Sequence, residues 1–283
     1  MNKIKTRIEY TIEIDTEEGK EGEPFKSSYF EYDSNGNTIC FKSYLPDGSL
    51  DSKITTKYEN GKISEEINYS SEDEFIDKTI FHRNNNGKLI KVEIFYPDNT
   101  SIIKSYLRND SEKELEINIT DDEGEHEGNE LLKFDNNENL IEKVTFDYNG
   151  NLEEKMVYEY DENNKIINRK ELDKKNKIII QDQFFYDDNL NLIKRYKLNR
   201  KNKLLELVKI NYDENNNPVE QNFNNEYFIR FEYDNNGNAI KEERENAHGL
   251  KEYQGLFIYN EDGLLLEERT PDQIKKFNYE FFK

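Results

Sequence analysis

Phe231-Glu232-Tyr233-Asp234-Asn235-Asn236-Gly237-Asn238, followed by Ala239 and Ile240, decides the fold. Two aromatics at alternate positions place their side chains on one side of an extended strand. The aspartate can bond a turn's own amides, while asparagine and glycine tolerate the left-handed backbone that tight reversals demand. An aliphatic residue then begins a second strand, so the stretch predicts a β-hairpin. Phe30-Glu31-Tyr32-Asp33-Ser34-Asn35-Gly36-Asn37 repeats the phrase near the N-terminus. From tyrosine to the later aliphatic the step is seven residues in Tyr32–Ile39, Tyr160–Ile167, Tyr212–Val219 and Tyr233–Ile240.

Outward from these copies the phrase recurs at a fixed interval. Phe134-Asp135, Tyr160-Asp161, Tyr186-Asp187 and Tyr212-Asp213 follow one another at 26-residue steps, as do Tyr32-Asp33 and Tyr58-Glu59. Tyr233-Asp234 comes after a step of 21, and Tyr259-Asn260 after 26 again. A second turn lies about midway through many units, at Asp47-Gly48, Asp98-Asn99, Asn149-Gly150, Lys175-Asn176 and Lys201-Asn202. Each unit is therefore read as two strands and two turns, and self-similarity at this period means a modular array. The expected fold is all-β, an elongated or coiled antiparallel β-meander of tandem hairpins.

Four segments are expected: an opening strand and loop at 1–29, a hairpin array at 30–109, an acidic insert at 110–130 and a second array at 131–283. In the opening segment Ile4, Ile8, Tyr10, Ile12 and Ile14 alternate as a strand does, and 15–28 reads as a loop. From Asp110 to Glu130 ten acidic residues stand against one lysine.

The tyrosine-aspartate signature with its Asn-Gly-Asn tail resembles the YD or RHS repeats of bacterial proteins, over about Phe30 to Glu268. Tyr58-Glu59-Asn60-Gly61 is similar to the YxxNG hairpin units of antitoxin-type proteins. The chain departs from RHS repeats in its longer period, in asparagine where arginine follows the turn glycine, and in lacking the terminal autoprotease motif. What the resemblance implies is an antiparallel sheet used in toxin encapsulation, carbohydrate contact or contact-dependent competition.

Composition bounds the function. Hydrophobic residues make up 34% of the 283, charged residues 36%, and the net charge is -21. Those values border on disorder, yet 19 tyrosines and 17 phenylalanines fall in register. The expectation is a folded chain with a thin core. Nucleic-acid binders carry basic faces, so direct binding of DNA or RNA is not expected. No stretch has the apolar length of a signal peptide or a bilayer span, so the expectation is a cytoplasmic protein without a membrane partner. Cys40 is the single cysteine, and it cannot form an internal disulfide.

No phosphate loop, nucleophile elbow or zinc-protease motif is present, and His82, His126 and His248 are far apart in sequence. The chain is read as a non-enzyme without cofactor or metal. Asp121-Asp122-Glu123-Gly124-Glu125-His126-Glu127 could be a cation site, but it lacks the spacing of the calcium loop and is read as a solvated acidic loop. Asp121, Asp122, Glu123, Glu125 and Glu127 are instead the candidate contacts to a basic protein partner. The favoured function is an acidic inhibitor or immunity protein that occludes the basic channel of a toxin nuclease or an RNA-guided defence nuclease. The alternative is a structural RHS-like shell or surface-adhesion module.

Overall fold

The computed structural model describes residues 3–283, and every regular element in it is a strand. In chain order these are β1 (Ile4–Asp15), β2 (Lys20–Glu21), β3 (Phe25–Tyr32), β4 (Thr38–Tyr44), β5 (Leu50–Glu59) and β6 (Lys62–Tyr69). Then come β7 (Phe75–Arg83), β8 (Leu89–Phe95), β9 (Ser101–Asn109), β10 (Glu114–Asp121), β11 (His126–Phe134) and β12 (Leu140–Asp147). They are followed by β13 (Leu152–Tyr160), β14 (Ile166–Leu172), β15 (Ile178–Tyr186), β16 (Leu192–Asn199), β17 (Leu204–Tyr212) and β18 (Pro218–Phe223). The last are β19 (Tyr227–Tyr233), β20 (Ala239–Asn246), β21 (Lys251–Tyr259), β22 (Leu265–Arg269) and β23 (Gln273–Phe281). The expected antiparallel meander of hairpins is thus present, with two strands to each repeat.

The chain divides into two compact units. Unit 2 comprises Phe81–Ile94 and Asn99–Tyr227. In it β9 to β18 pair in unbroken antiparallel sequence, each with the next. Unit 1 comprises Met1–Ile80, Phe95–Asp98 and Phe228–Lys283. Its strand order is β20-β21-β22-β23-β1-β3-β4-β5-β6-β7. Here the expectation of an elongated or coiled array is corrected. The first strand lies between β3 and the last one, β23, in a register running from Ile4↔Phe281 to Glu13↔Gln273. The 15–28 loop is also shorter than expected: β2 folds back on β1 through Ile14↔Glu21, and β3 begins at Phe25.

Fifteen turns among the described residues share one geometry. In the first, the Asp33 N–H donates to the Asn37 carbonyl (2.9 Å) and the Gly36 N–H to the Asp33 carbonyl (3.0 Å). This is a type I turn closed by a residue in the left-handed region, the usual three-residue hairpin connection. That fourth position is glycine eight times, asparagine four times, and Asp73, Glu138 or Leu190 in the rest, all with positive φ. In all but the turn at Leu45, the side chain of the first residue accepts hydrogen bonds from the amides two and four residues on. That is the task of the recurrent aspartate. The 21-residue step coincides with a tighter reversal, where Asn224 (φ 55°) and Asn225 (φ 58°) form the turn.

The seven-residue step has a geometric cause as well. Tyr32 pairs with Thr38 and Glu31 with Cys40, so Ile39 is an extra residue without a partner. Ile167 is skipped likewise between Tyr160↔Ile166 and Glu159↔Asn168, and Val219 between Tyr212↔Pro218 and Asn211↔Glu220. Each is a β-bulge, which bends the strand and raises its twist. The core is thin, as composition implied: among the described residues Ile12, Ile274 and Phe277 are the buried apolar side chains of unit 1, and Val92, Leu115, Ile117, Val144 and Val208 those of unit 2.

Candidate binding surface

The acidic stretch 110–130 is itself part of the meander. Its centre is the β10–β11 hairpin, paired from Glu114↔Lys133 to Thr120↔His126. Asp121 begins the turn: its Oδ1 accepts the amides of Glu123 (3.0 Å) and Glu125 (2.8 Å). Of the five candidate carboxylates, this one is committed to the backbone. Asp122, Glu123 and Glu125 are exposed on the same turn, Glu127 is exposed at the bulge just after it, between Thr120↔His126 and Ile119↔Gly128, and among the described residues none of the four forms an ion pair. Gly128 fixes how the hairpin meets β12. Its φ is 148°, and a methyl group there would lie 2.7 Å from the Phe146 carbonyl oxygen.

The sheet surface around the turn is different, because its charges are paired across strands. Lys143 bridges Glu130 (3.3 Å) and Glu154 (3.7 Å), Lys155 holds Glu142 (3.2 Å), and Lys133 holds Glu114 (3.1 Å). Arg169 reaches Asp182 through Nη2 (2.9 Å) and Nε (3.2 Å). Asp182 is 1% exposed, and its Oδ1 has no hydrogen-bond partner. Unneutralised negative charge on unit 2 is therefore concentrated at turns.

Tyrosines and asparagines tie successive turns together. The hydroxyls of Tyr160, Tyr186 and Tyr212 donate to the carbonyls of Leu140 (2.8 Å), Ile166 (2.8 Å) and Leu192 (3.0 Å), each on the preceding strand. Burial raises the pKa of all three phenols. Asn137 and Asn139 both donate to the Asn164 side-chain oxygen, and Asn189 and Asn191 to that of Asn216. The tyrosines thus brace the turns rather than standing free as a stacking platform.

The histidines and the cysteine are exposed or otherwise engaged. Among the described residues no three His, Cys, Asp or Glu side chains gather as a metal site. His82 is bonded to Glu93 (2.5 Å), and His126 and His248 are exposed. Burial pushes the Cys40 thiol up, opposite to what a thiolate nucleophile requires. A cleft of about 500 Å³ lined by Lys88, Arg108, Lys113, Phe134 and Glu138 opens beside the β9–β10 turn. There Lys88 faces Asp110 (3.5 Å) and the Arg108 guanidinium lies 6.0 Å from the Phe134 ring. Averaging charge along the chain missed one feature: Lys174-Lys175 and Arg200-Lys201 occupy equivalent turns one repeat apart.

No protein-family model matches the chain, and no curated protein matches it either. Among solved structures it is similar to the TcdB2–TccC3–Cdc42 complex, at 9% identity and a TM-score of 0.45 over 86% of this chain and 15% of that one. It is also similar to the Tc holotoxin pore of Photorhabdus luminescens, at 11% identity and a TM-score of 0.43 over 95% and 18%. A porin-like protein from Bacteroides uniformis is similar over 97% of both chains, at 11% identity and a TM-score of 0.32. The chain spans less than a fifth of the two Tc toxin chains, and likenesses this faint leave function to be argued from the residues.

Proposed function

We propose that the protein is a non-catalytic, cytoplasmic binding protein whose acidic β10–β11 turn engages a basic surface on a protein partner. The observation that carries this reading is the set of four exposed carboxylates, Asp122, Glu123, Glu125 and Glu127, without ion pairs among the described residues and gathered at a turn whose backbone Asp121 fixes. Charge held on a rigid turn costs little further ordering on binding, and it speeds encounter with a surface of opposite sign. The basic channels of nucleases present such surfaces, so inhibition of a nuclease is the proposed activity.

The test is capture from a nuclease-treated lysate at about 50 mM and about 500 mM salt, with the wild type and a variant carrying lysine at 122, 123, 125 and 127. A captured nuclease must then be inhibited by the wild type, with association at least tenfold slower for the variant. Equal association rates for both proteins refute the electrostatic reading. A second reading, a structural YD/RHS-like module, draws on the tyrosine and asparagine braces between turns. Salt-insensitive assembly of purified chains would select it.

A further inference from the structure

The β14–β15 and β16–β17 turns stand at the same end of unit 2 and reverse the charge of the chain as a whole. They read Asp173-Lys174-Lys175-Asn176-Lys177 and Asn199-Arg200-Lys201-Asn202-Lys203. An open cleft of about 1130 Å³ lies between them, lined by Lys174, Lys175, Lys177, Ile179, Arg200 and Lys201. All six cations of the two turns are exposed. The one carboxylate, Asp173, is occupied by the amides of Lys175 (2.8 Å) and Lys177 (2.9 Å). Elsewhere in unit 2 five of the seven strand cations of β12 to β16, Lys143, Lys155, Arg169, Lys170 and Arg195, each hold a carboxylate, and Lys194 lies over the Phe185 and Tyr196 rings. Among the described residues none of the six turn cations holds a carboxylate.

Apolar side chains accompany this charge. Ile179 is the extra residue of the bulge between Glu171↔Ile180 and Leu172↔Ile178, and Leu205 that between Lys197↔Glu206 and Leu198↔Leu204. They are 37% and 46% exposed, and Tyr148, on the next turn at the same end, is 65% exposed. The acidic β10–β11 turn lies four strands from the β14–β15 turn, roughly 19 Å at the usual strand spacing. That exceeds the screening length of about 8 Å in physiological salt, so the two turns present independent fields.

We propose that these turns form a docking site for an anionic lipid bilayer surface. Phosphate headgroups satisfy the six cations, and the layer beneath them receives Ile179, Leu205 and Tyr148, the pairing of basic and apolar side chains that suits an interface. A nucleic acid offers the phosphates without the apolar layer. It would call for stacking aromatics between the cations, and neither turn contains one. This goes beyond the proposed protein inhibition, which uses a different turn.

The experiment is co-sedimentation of the full chain with phosphatidylcholine vesicles, with and without about 30% phosphatidylglycerol. Binding is expected only with the anionic lipid. The triple variant Lys175→Gln, Arg200→Gln, Lys201→Gln should reduce partitioning about a hundredfold. Ile179→Ser with Leu205→Ser should reduce it about tenfold. Thermal unfolding verifies that both variants fold; if one does not, Lys174→Gln with Lys203→Gln replaces it and must weaken binding by at least tenfold. Failure to sediment with anionic vesicles, or equal sedimentation by the charge variants, overturns the proposal. So does tight binding of a single-stranded RNA, measured by anisotropy, that the Ile179 and Leu205 changes leave untouched.

Discussion

At the scale of single residues, the Tyr-Asp pair divides two tasks between its members. The aspartate accepts the turn amides, and the tyrosine, the last strand residue, braces the turn before it. Both were legible as recurrent letters, because turn chemistry is local. The meaning of the seven-residue step was not, since a bulge is a property of pairing and shows only when the opposite strand is in place. The one leucine that fills a left-handed turn position, Leu190 (φ 65°), is the natural place to test this account. An L side chain there costs about 1 kcal/mol, and Leu190 is already 38% exposed. Leu190→Gly should therefore stabilise the protein by about 1 kcal/mol in urea unfolding. Tyr186→Phe, which removes the bond to the Ile166 carbonyl, should cost about 1 kcal/mol and leave far-UV dichroism unchanged.

At the scale of elements, charge and close approach decide which hairpins tolerate change. Asp182 is buried on β15, whereas its partner Arg169 on β14 keeps 42% of its side chain in water. Removing the arginine strands a buried carboxylate; removing the carboxylate leaves a cation that water can reach. Arg169→Met is accordingly expected to cost roughly 2–3 kcal/mol and Asp182→Asn about 1 kcal/mol or less, measured by denaturant titration. Gly128→Ala should shift the acidic hairpin off β12 at a cost of about 2 kcal/mol, visible as faster amide exchange in β10 and β11. The reading of 110–130 as an insert came from its charge alone. Leu115, Ile117 and Ile119 alternate there as in any other strand, and that period-two pattern was the signal for a hairpin.

At the scale of the whole molecule, stability follows the ionisation of groups the repeat multiplies. Side-chain amides of Asn37, Asn139, Asn151 and Asn238 are the largest cause holding Asp33, Asp135, Asp147 and Asp234 below the usual carboxylate value. For Asp173, Asp187 and Asp213 it is the backbone amide four residues on. A depressed folded pKa means the unfolded chain takes up protons first. This stabilisation is thus complete above the ordinary value of 3.8 and is lost as pH falls through the lower folded values. Burial raises Tyr160, Tyr186 and Tyr212 above 10.0, so their contribution holds below that pH and fades as pH climbs past it. The urea midpoint should form a plateau between about pH 5 and about pH 9 and fall on both sides; an acid limb that begins near neutrality would contradict this assignment. The order of neighbours was legible from the period, because each repeat meets the next in sequence. The meeting of β1 with β23 was not, since no local pattern marks a contact between residues 274 positions apart, such as Thr6 and Glu280.

That meeting makes the position of the chain ends a matter of choice. The Phe282 amide donates to the Lys3 carbonyl at 2.9 Å, so a few glycines can join residue 283 to residue 3 without disturbing a pairing. New ends can then be cut into the turn at Pro46-Asp47, where no strand bond is lost. Such a circular permutant should recover the wild-type spectrum, with β1 and β23 now consecutive strands of one hairpin.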